Sequence, residues 1–207
     1  MPIRKSLRRL VRRVFSQVVR LAARVVQAES PWDRVPVHVP TLAFGPGSSR
    51  QFAHYFEGES SVRPESIDDI VEWLLNCEYA TDADLFNERD YWQHPSVFEQ
   101  RRRGDCEDFA LWAWRKLAEL GIDAELYVGR VRRPEEPGVN QQHAWVVYRV
   151  DGAEFLFEPA ARSRQHMIRE LADAMNEYVP HFAVNRHLRT CAFGGVVLDS
   201  RDRHFGG

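Results

Sequence analysis

Cys106 lies in the stretch Gly104-Asp105-Cys106-Glu107-Asp108-Phe109-Ala110, which reads as the opening of a helix. A thiol in that position can serve as a nucleophile. His143 stands 37 residues downstream at the head of His143-Ala144-Trp145-Val146, and Glu158 follows 15 residues later, before Pro159. The three side chains divide the work of acyl transfer. A thiolate attacks, an imidazole takes and returns the proton, and a carboxylate holds the imidazole in one tautomer. Each residue also has a plainer reading: a buried structural cysteine, a surface histidine, an acid in a turn. Residues so far apart meet only through a fold, so the pattern is a claim about proximity.

The elements that would position them are legible from punctuation and periodicity. Asp105 suits a helix N-cap, with Asp108 three residues on in capping-box fashion. Cys106, Phe109, Ala110, Ala113, Leu117 and Leu120 share one stripe, and Gly121 supplies a stop. The positive end of that helix favours a thiolate, as do Arg101, Arg102 and Arg103, whereas Asp105, Glu107 and Asp108 oppose it. Residues 124–131 read as a strand, 132–142 as a loop, 143–150 as a second strand and 154–157 as a third. Asp151-Gly152 forms the hairpin turn between the last two. A helix over 165–178 and a short strand over 192–198 follow. Upstream, a helix begins near Pro64 with Ile67, Ile70, Val71, Leu74 and Leu75 as its buried stripe. Asp82, Asp84, Asn87 and Glu88 faintly resemble a calcium loop but lack its glycine, so they read as solvated loop residues.

Four segments result: a basic amphipathic helix in 1–28, an irregular arm or linker over 29–62 rich in Pro and Gly, a domain over 63–199, and a frayed tail over 200–207. The first segment is distinctive. Its first 27 residues carry eight basic side chains and no acid, so the formal net charge of -2 divides into +8 there and -10 elsewhere. Leu7, Leu10, Val11, Val14, Val18, Leu21 and Val25 recur at helical spacing. Residues 4–27 could therefore lie on an anionic membrane surface, dock on a partner protein, or pack on their own domain. The acidic remainder disfavours nucleic acid as a partner. Three cysteines make no disulfide framework, and the leader lacks an uninterrupted apolar region. The expected location is cytoplasmic, peripheral to a membrane if the helix binds one.

The series Gly104-Asp105-Cys106-Glu107-Asp108-Phe109-Ala110, His143-Ala144-Trp145-Val146 and Phe157-Glu158-Pro159 resembles the transglutaminase-like superfamily, closest to the bacterial transglutaminase-like cysteine proteinases. Trp92-Gln93-His94-Pro95 and Phe98-Glu99 resemble the segment these proteins carry before the cysteine. The resemblance implies an α+β, papain-like core with the nucleophile helix packed on an antiparallel sheet. It makes Cys106 the nucleophile, His143 the general base and acid, and Glu158 the orienting group where aspartate is usual. Asp151 and Glu154 are fallbacks for that third role. It also implies calcium held by acids flanking the cysteine, here Asp105, Glu107 and Asp108; helix capping and solvation account for the same residues without metal.

An oxyanion hole would use the Cys106 backbone N–H, while Gln100 reads as a polar loop residue. Zinc held by Cys106, His143, Cys77 and His94 is disfavoured, because no Cys-x-x-Cys pair is present. The expected activity is hydrolysis of an amide bond in a protein or peptide substrate. Acyl transfer to an amine by a protein-glutamine acyltransferase, or a catalytically silent binding module of the same fold, are the alternatives.

Overall fold

The computed structural model describes residues 28–35, 37–48, 50–132, 140–196 and 198, except for the side chains of 140 and 141. The amphipathic helix expected over 4–27 and the tail over 200–207 lie outside the described residues. So do residues 133–139 of the expected 132–142 loop. In chain order the strands are β1 (Arg34–Val35), β2 (Glu78–Tyr79), β3 (Arg103–Gly104), β4 (Asp123–Arg132), β5 (Asn140–Val150), β6 (Ala153–Phe157), β7 (Ile168–Glu170), β8 (Tyr178–Asn185) and β9 (Thr190–Phe193). The helices are α1 (Ile67–Leu75), α2 (Asp82–Phe86), α3 (Pro95–Arg101), α4 (Cys106–Glu119), α5 (Arg164–Met167) and α6 (Leu171–Ala174).

The α4 helix starts where the sequence says it should. Asp105 is the N-cap in extended conformation, and its backbone N–H donates to Asp108 Oδ2 at 3.4 Å. Gly121, at φ +78°, bonds back to Ala118 and ends the helix. Nearly every α4 side chain is buried, because three surroundings close on it: α1 and α3, the sheet, and the irregular arm. That arm is no free linker. Val35, Val39, Phe44, Phe52 and Tyr55 are buried in the same apolar cluster as Trp112 and Trp114.

The sheet has seven strands in the order β1-β9-β8-β4-β5-β6-β7, every neighbouring pair antiparallel. Side chains alternate across it. Leu126, Val128, Ala144, Val146 and Phe157 join the α4 layer, while Tyr127, Val131, Trp145, Val147 and Leu156 join a second cluster with Trp32 and α6 on the opposite face. The chain is thus an α+β domain with an antiparallel sheet, as expected. The hairpin also forms as read, with Asp151 and Gly152 at positive φ, which a type I′ turn requires.

Three expectations fail beyond Glu158. The helix over 165–178 is instead two single-turn helices, α5 and α6, split by β7. Ile168 and Glu170 there pair with Phe157 and Phe155 at the sheet edge. Residues 178–185, assigned no strand, form the inner strand β8. Pro180 argues against such a strand, since it cannot donate to a ladder. The fold accommodates it at a register shift opposite Val128 and Gly129. The last strand also sits earlier, at Thr190–Phe193 rather than 192–198.

Candidate active site

Cys106 is the first residue of α4, and β5 brings Ala144 to it and His143 into the same cleft. The thiol donates to Glu107 Oε2 at 3.1 Å, and the backbone N–H of Ala144 also bonds to the sulfur. A thiolate is not favoured in this arrangement. Burial first, then the charges of Glu107 and Asp105, push the thiol well above its ordinary value. The expected help from the helix dipole is outweighed, and the three arginines face elsewhere. Arg101 lies over the Phe86 ring, Arg102 over Trp73, and Arg103 pairs with Glu78.

His143 and Glu158 meet. Nε2 of the imidazole lies 2.5 Å from Glu158 Oε2, and Tyr178 Oη donates to that same oxygen at 3.0 Å. The ring stacks on Trp145 with centroids 6.3 Å apart and planes 19° from parallel. With the proton on Nε2 directed at a carboxylate, Nδ1 is left as the basic nitrogen. The glutamate arm therefore reaches where aspartate is usual. Neither fallback comes near: Asp151 is an exposed turn residue, and Glu154 pairs with Arg149 at 2.8 Å.

Cys106, His143, Tyr79 and Gln142 line both of two adjoining cavities. One, of about 790 Å³, mixes apolar walls from Phe44, Trp92, Val128 and Phe182 with the charged groups Arg89, Asp90, Asp105 and Glu107. The other, of about 700 Å³, contains Glu158 and Tyr178 with Arg132 and Arg162. Cys106 and His143 thus stand at the junction of two lobes of one cleft.

Beneath the thiol lies a cluster of acids. Carboxylate oxygens of Asp82, Asp90 and Glu107, and likewise of Asp82, Asp105 and Asp108, fall within 4.8 Å of one another. Asp82 is not solvated as expected: it is buried at 3% exposure, and its Oδ2 accepts from Tyr91 N–H. Burial, then the charges of Asp105, Asp90 and Glu88, raise its carboxyl to about 7. Glu107 and Asp108 are pushed well up by burial and by Asp105, and Asp105 itself is raised, again chiefly by burial. Asp82 Oδ1 and Asp105 Oδ1 are buried without a hydrogen-bond partner among the described residues. Unpaired buried carboxylate oxygens facing other carboxylates fit a hard cation with oxygen ligands.

Several of these roles escaped sequence reasoning. Asp90 is held by Gly47 N–H at 2.8 Å and Trp92 Nε1 at 3.0 Å, which aims it into the cluster. Gln93 N–H donates to Asp108 Oδ1 at 2.8 Å and its side-chain amide to Arg103 O at 3.0 Å, locking the loop before the cysteine. The sequence puts Tyr178 at a helix end and carries no signal of its contact with Glu158. Gln100 lies on the exposed side of α3, a helix rather than a loop. Cys77 is buried, with its thiol pushed up to about 12 by burial, and is structural. His94 bonds His54 O and Ser96, and no metal-binding group among the described residues contains cysteine or histidine.

Residues 60–185 match the family model described as bacterial transglutaminase-like cysteine proteinase. Among solved structures, LapG of Legionella pneumophila after EGTA treatment is 17% identical with a TM-score of 0.44, covering 82% of this chain and 81% of its own. The calcium-bound form of the same Legionella protein is 18% identical with a TM-score of 0.43, covering 82% and 83%. No curated protein matches.

Proposed function

The chain belongs to the bacterial transglutaminase-like cysteine proteinases, and from that premise we propose that it hydrolyses an amide bond in a protein or peptide through a thioester on Cys106. His143 Nδ1 takes the thiol proton as the sulfur attacks the substrate carbonyl. The Cys106 backbone N–H, at the positive end of α4, receives the negative charge that develops on the carbonyl oxygen. His143 then gives its proton to the departing amine, and a thioester remains. Water enters, loses a proton to Nδ1, and attacks the thioester. Breakdown of that adduct releases the acid and returns the proton to sulfur. Glu158 holds the tautomer that makes Nδ1 basic throughout and stabilises the transient imidazolium.

The observation carrying this reading is the His143–Glu158 bond of 2.5 Å beside a thiol that lines the same cleft. The test is alkylation of Cys106 by iodoacetamide near neutral pH, followed by peptide mass spectrometry. Cys106 should react at least about 100-fold faster than in a His143→Ala variant, in line with the usual worth of general-base assistance. Equal rates in both proteins would leave a silent module of the same fold as the better account.

We further propose that Asp82, Asp90, Asp105, Glu107 and Asp108 hold calcium. The bound cation supplies counter-charge to carboxylates packed beside the nucleophile. Glu107 matters most for the chemistry, because its carboxylate is the present acceptor of the thiol proton. Committing that oxygen elsewhere leaves the imidazole as the competing acceptor.

A further inference from the structure

We infer that Tyr178 is a positioning residue that holds the Glu158 carboxylate against His143, an inference that rests on the proposed use of that pair in acyl transfer. Tyr178 is the first residue of β8, two strands away from β5, so only the sheet brings it here. Its ring packs edge-on to Trp145, with centroids 5.0 Å apart, and is buried. A packing role alone would be met by phenylalanine. What the hydroxyl adds is a bond of 3.0 Å to Oε2, the same oxygen that receives the imidazole at 2.5 Å.

That shared oxygen is the reason to assign a role. Glu158 Oε1 is buried with no partner among the described residues, so the carboxylate orientation depends on what Oε2 accepts. Glutamate also has one more rotatable bond than aspartate, and each such bond must be fixed for the imidazole to find its partner in place. Tyr178 and His143 approach Oε2 from different strands and together define its position. The phenol is kept as a donor, since burial and the Glu158 charge push its ionisation well up. Behind it, the Arg169 guanidinium lies 5.9 Å from the ring centroid and is itself clamped by Glu177 through bonds of 2.8 and 2.9 Å. A cation at the ring strengthens the hydroxyl as a donor.

The test is a double-mutant cycle on the full chain, comparing Tyr178→Phe, Glu158→Ala and the double variant. Tyr178→Phe keeps the packing and should slow iodoacetamide alkylation of Cys106 about ten-fold, the scale of one lost hydrogen bond to an ionised group. In the Glu158→Ala background the same substitution should change nothing, because the hydroxyl acts only through the carboxylate. An equal slowing in both backgrounds, or none in either, overturns the assignment. A second readout does not need a reactive thiol. The proton on His143 Nε2, bonded to a carboxylate, should give a low-field proton resonance that moves upfield or broadens away in Tyr178→Phe. An unchanged resonance counts against the role of Tyr178, whereas an inert Cys106 with a shifted resonance counts only against the proposed hydrolysis.

Discussion

Asp82→Asn tests whether the acids beneath the thiol are a cation site or merely a satisfied buried network. Two ionised carboxylates with oxygens within 4.8 Å of each other repel by at least about 3 kcal/mol at an effective dielectric constant of about 20. Asp82 registers that cost together with burial, its carboxyl standing at about 7 against an ordinary 3.8. The rise corresponds to roughly 4 kcal/mol, which screening by nearby solvent trims to about 2–3 kcal/mol. Because the folded-state value lies above the unfolded one, the folded protein binds the proton more tightly. Stability is therefore full below about pH 4 and is lost as pH rises through about 7. In excess chelator, melting should fall by about 5–10 °C between about pH 4 and about pH 8, taking about 2–4 °C per kcal/mol for a chain of this size. Asp82→Asn should flatten that fall, since the amide still accepts from Tyr91 N–H and can donate to a neighbouring carboxylate. Calcium should raise the melting point of the parent protein at the higher pH and leave the variant nearly unmoved. Differential scanning fluorimetry in chelator and in calcium reads all four conditions. A parent protein equally stable across this range without calcium, or a variant still stabilised by it, would refute the reasoning.

Gly104→Ala should cost about 2–4 kcal/mol in denaturant unfolding and also slow Cys106 alkylation. A Cβ there would lie 2.7 Å from Asp108 Cβ and 2.8 Å from Gln93 Nε2, displacing the contacts that hold the start of α4. Removal of residues 1–27 should weaken sedimentation with phosphatidylserine-rich vesicles by at least about ten-fold, since each basic side chain near such a surface contributes about 1 kcal/mol. Equal sedimentation of both chains, or binding insensitive to salt, would remove the membrane from the account of that segment.

The local elements were legible because their signals are local. Asp105 and Gly121 bracket α4, Asp151-Gly152 dictates a tight hairpin, and the alternation from 143 to 157 fits strands that are half in each layer. The cysteine motif, its histidine and the following carboxylate were readable for the same reason: each sits at the edge of such an element. Failures began where the partner decides. Residues 165–178 carry apolar spacing that a helix would satisfy, yet the open edge of β6 claims 168–170 as a strand. Pro180 hides β8, because only a bulge opposite Gly129 lets a proline enter an inner strand.

What the sequence determined by itself is a cysteine, a histidine and a carboxylate that could react together and the helix and strands that carry them, since caps, turns and periodicity act over a few residues. Tertiary structure alone decided how those groups are biased. Burial of the Cys106 thiol, with the charges of Glu107 and Asp105 beside it, reverses the expected pull of the helix dipole on the thiol. Tyr178 reaches Glu158 only because β8 and β5 share a sheet. Charge and desolvation depend on distances between residues far apart in the chain, and those distances exist only once it has folded.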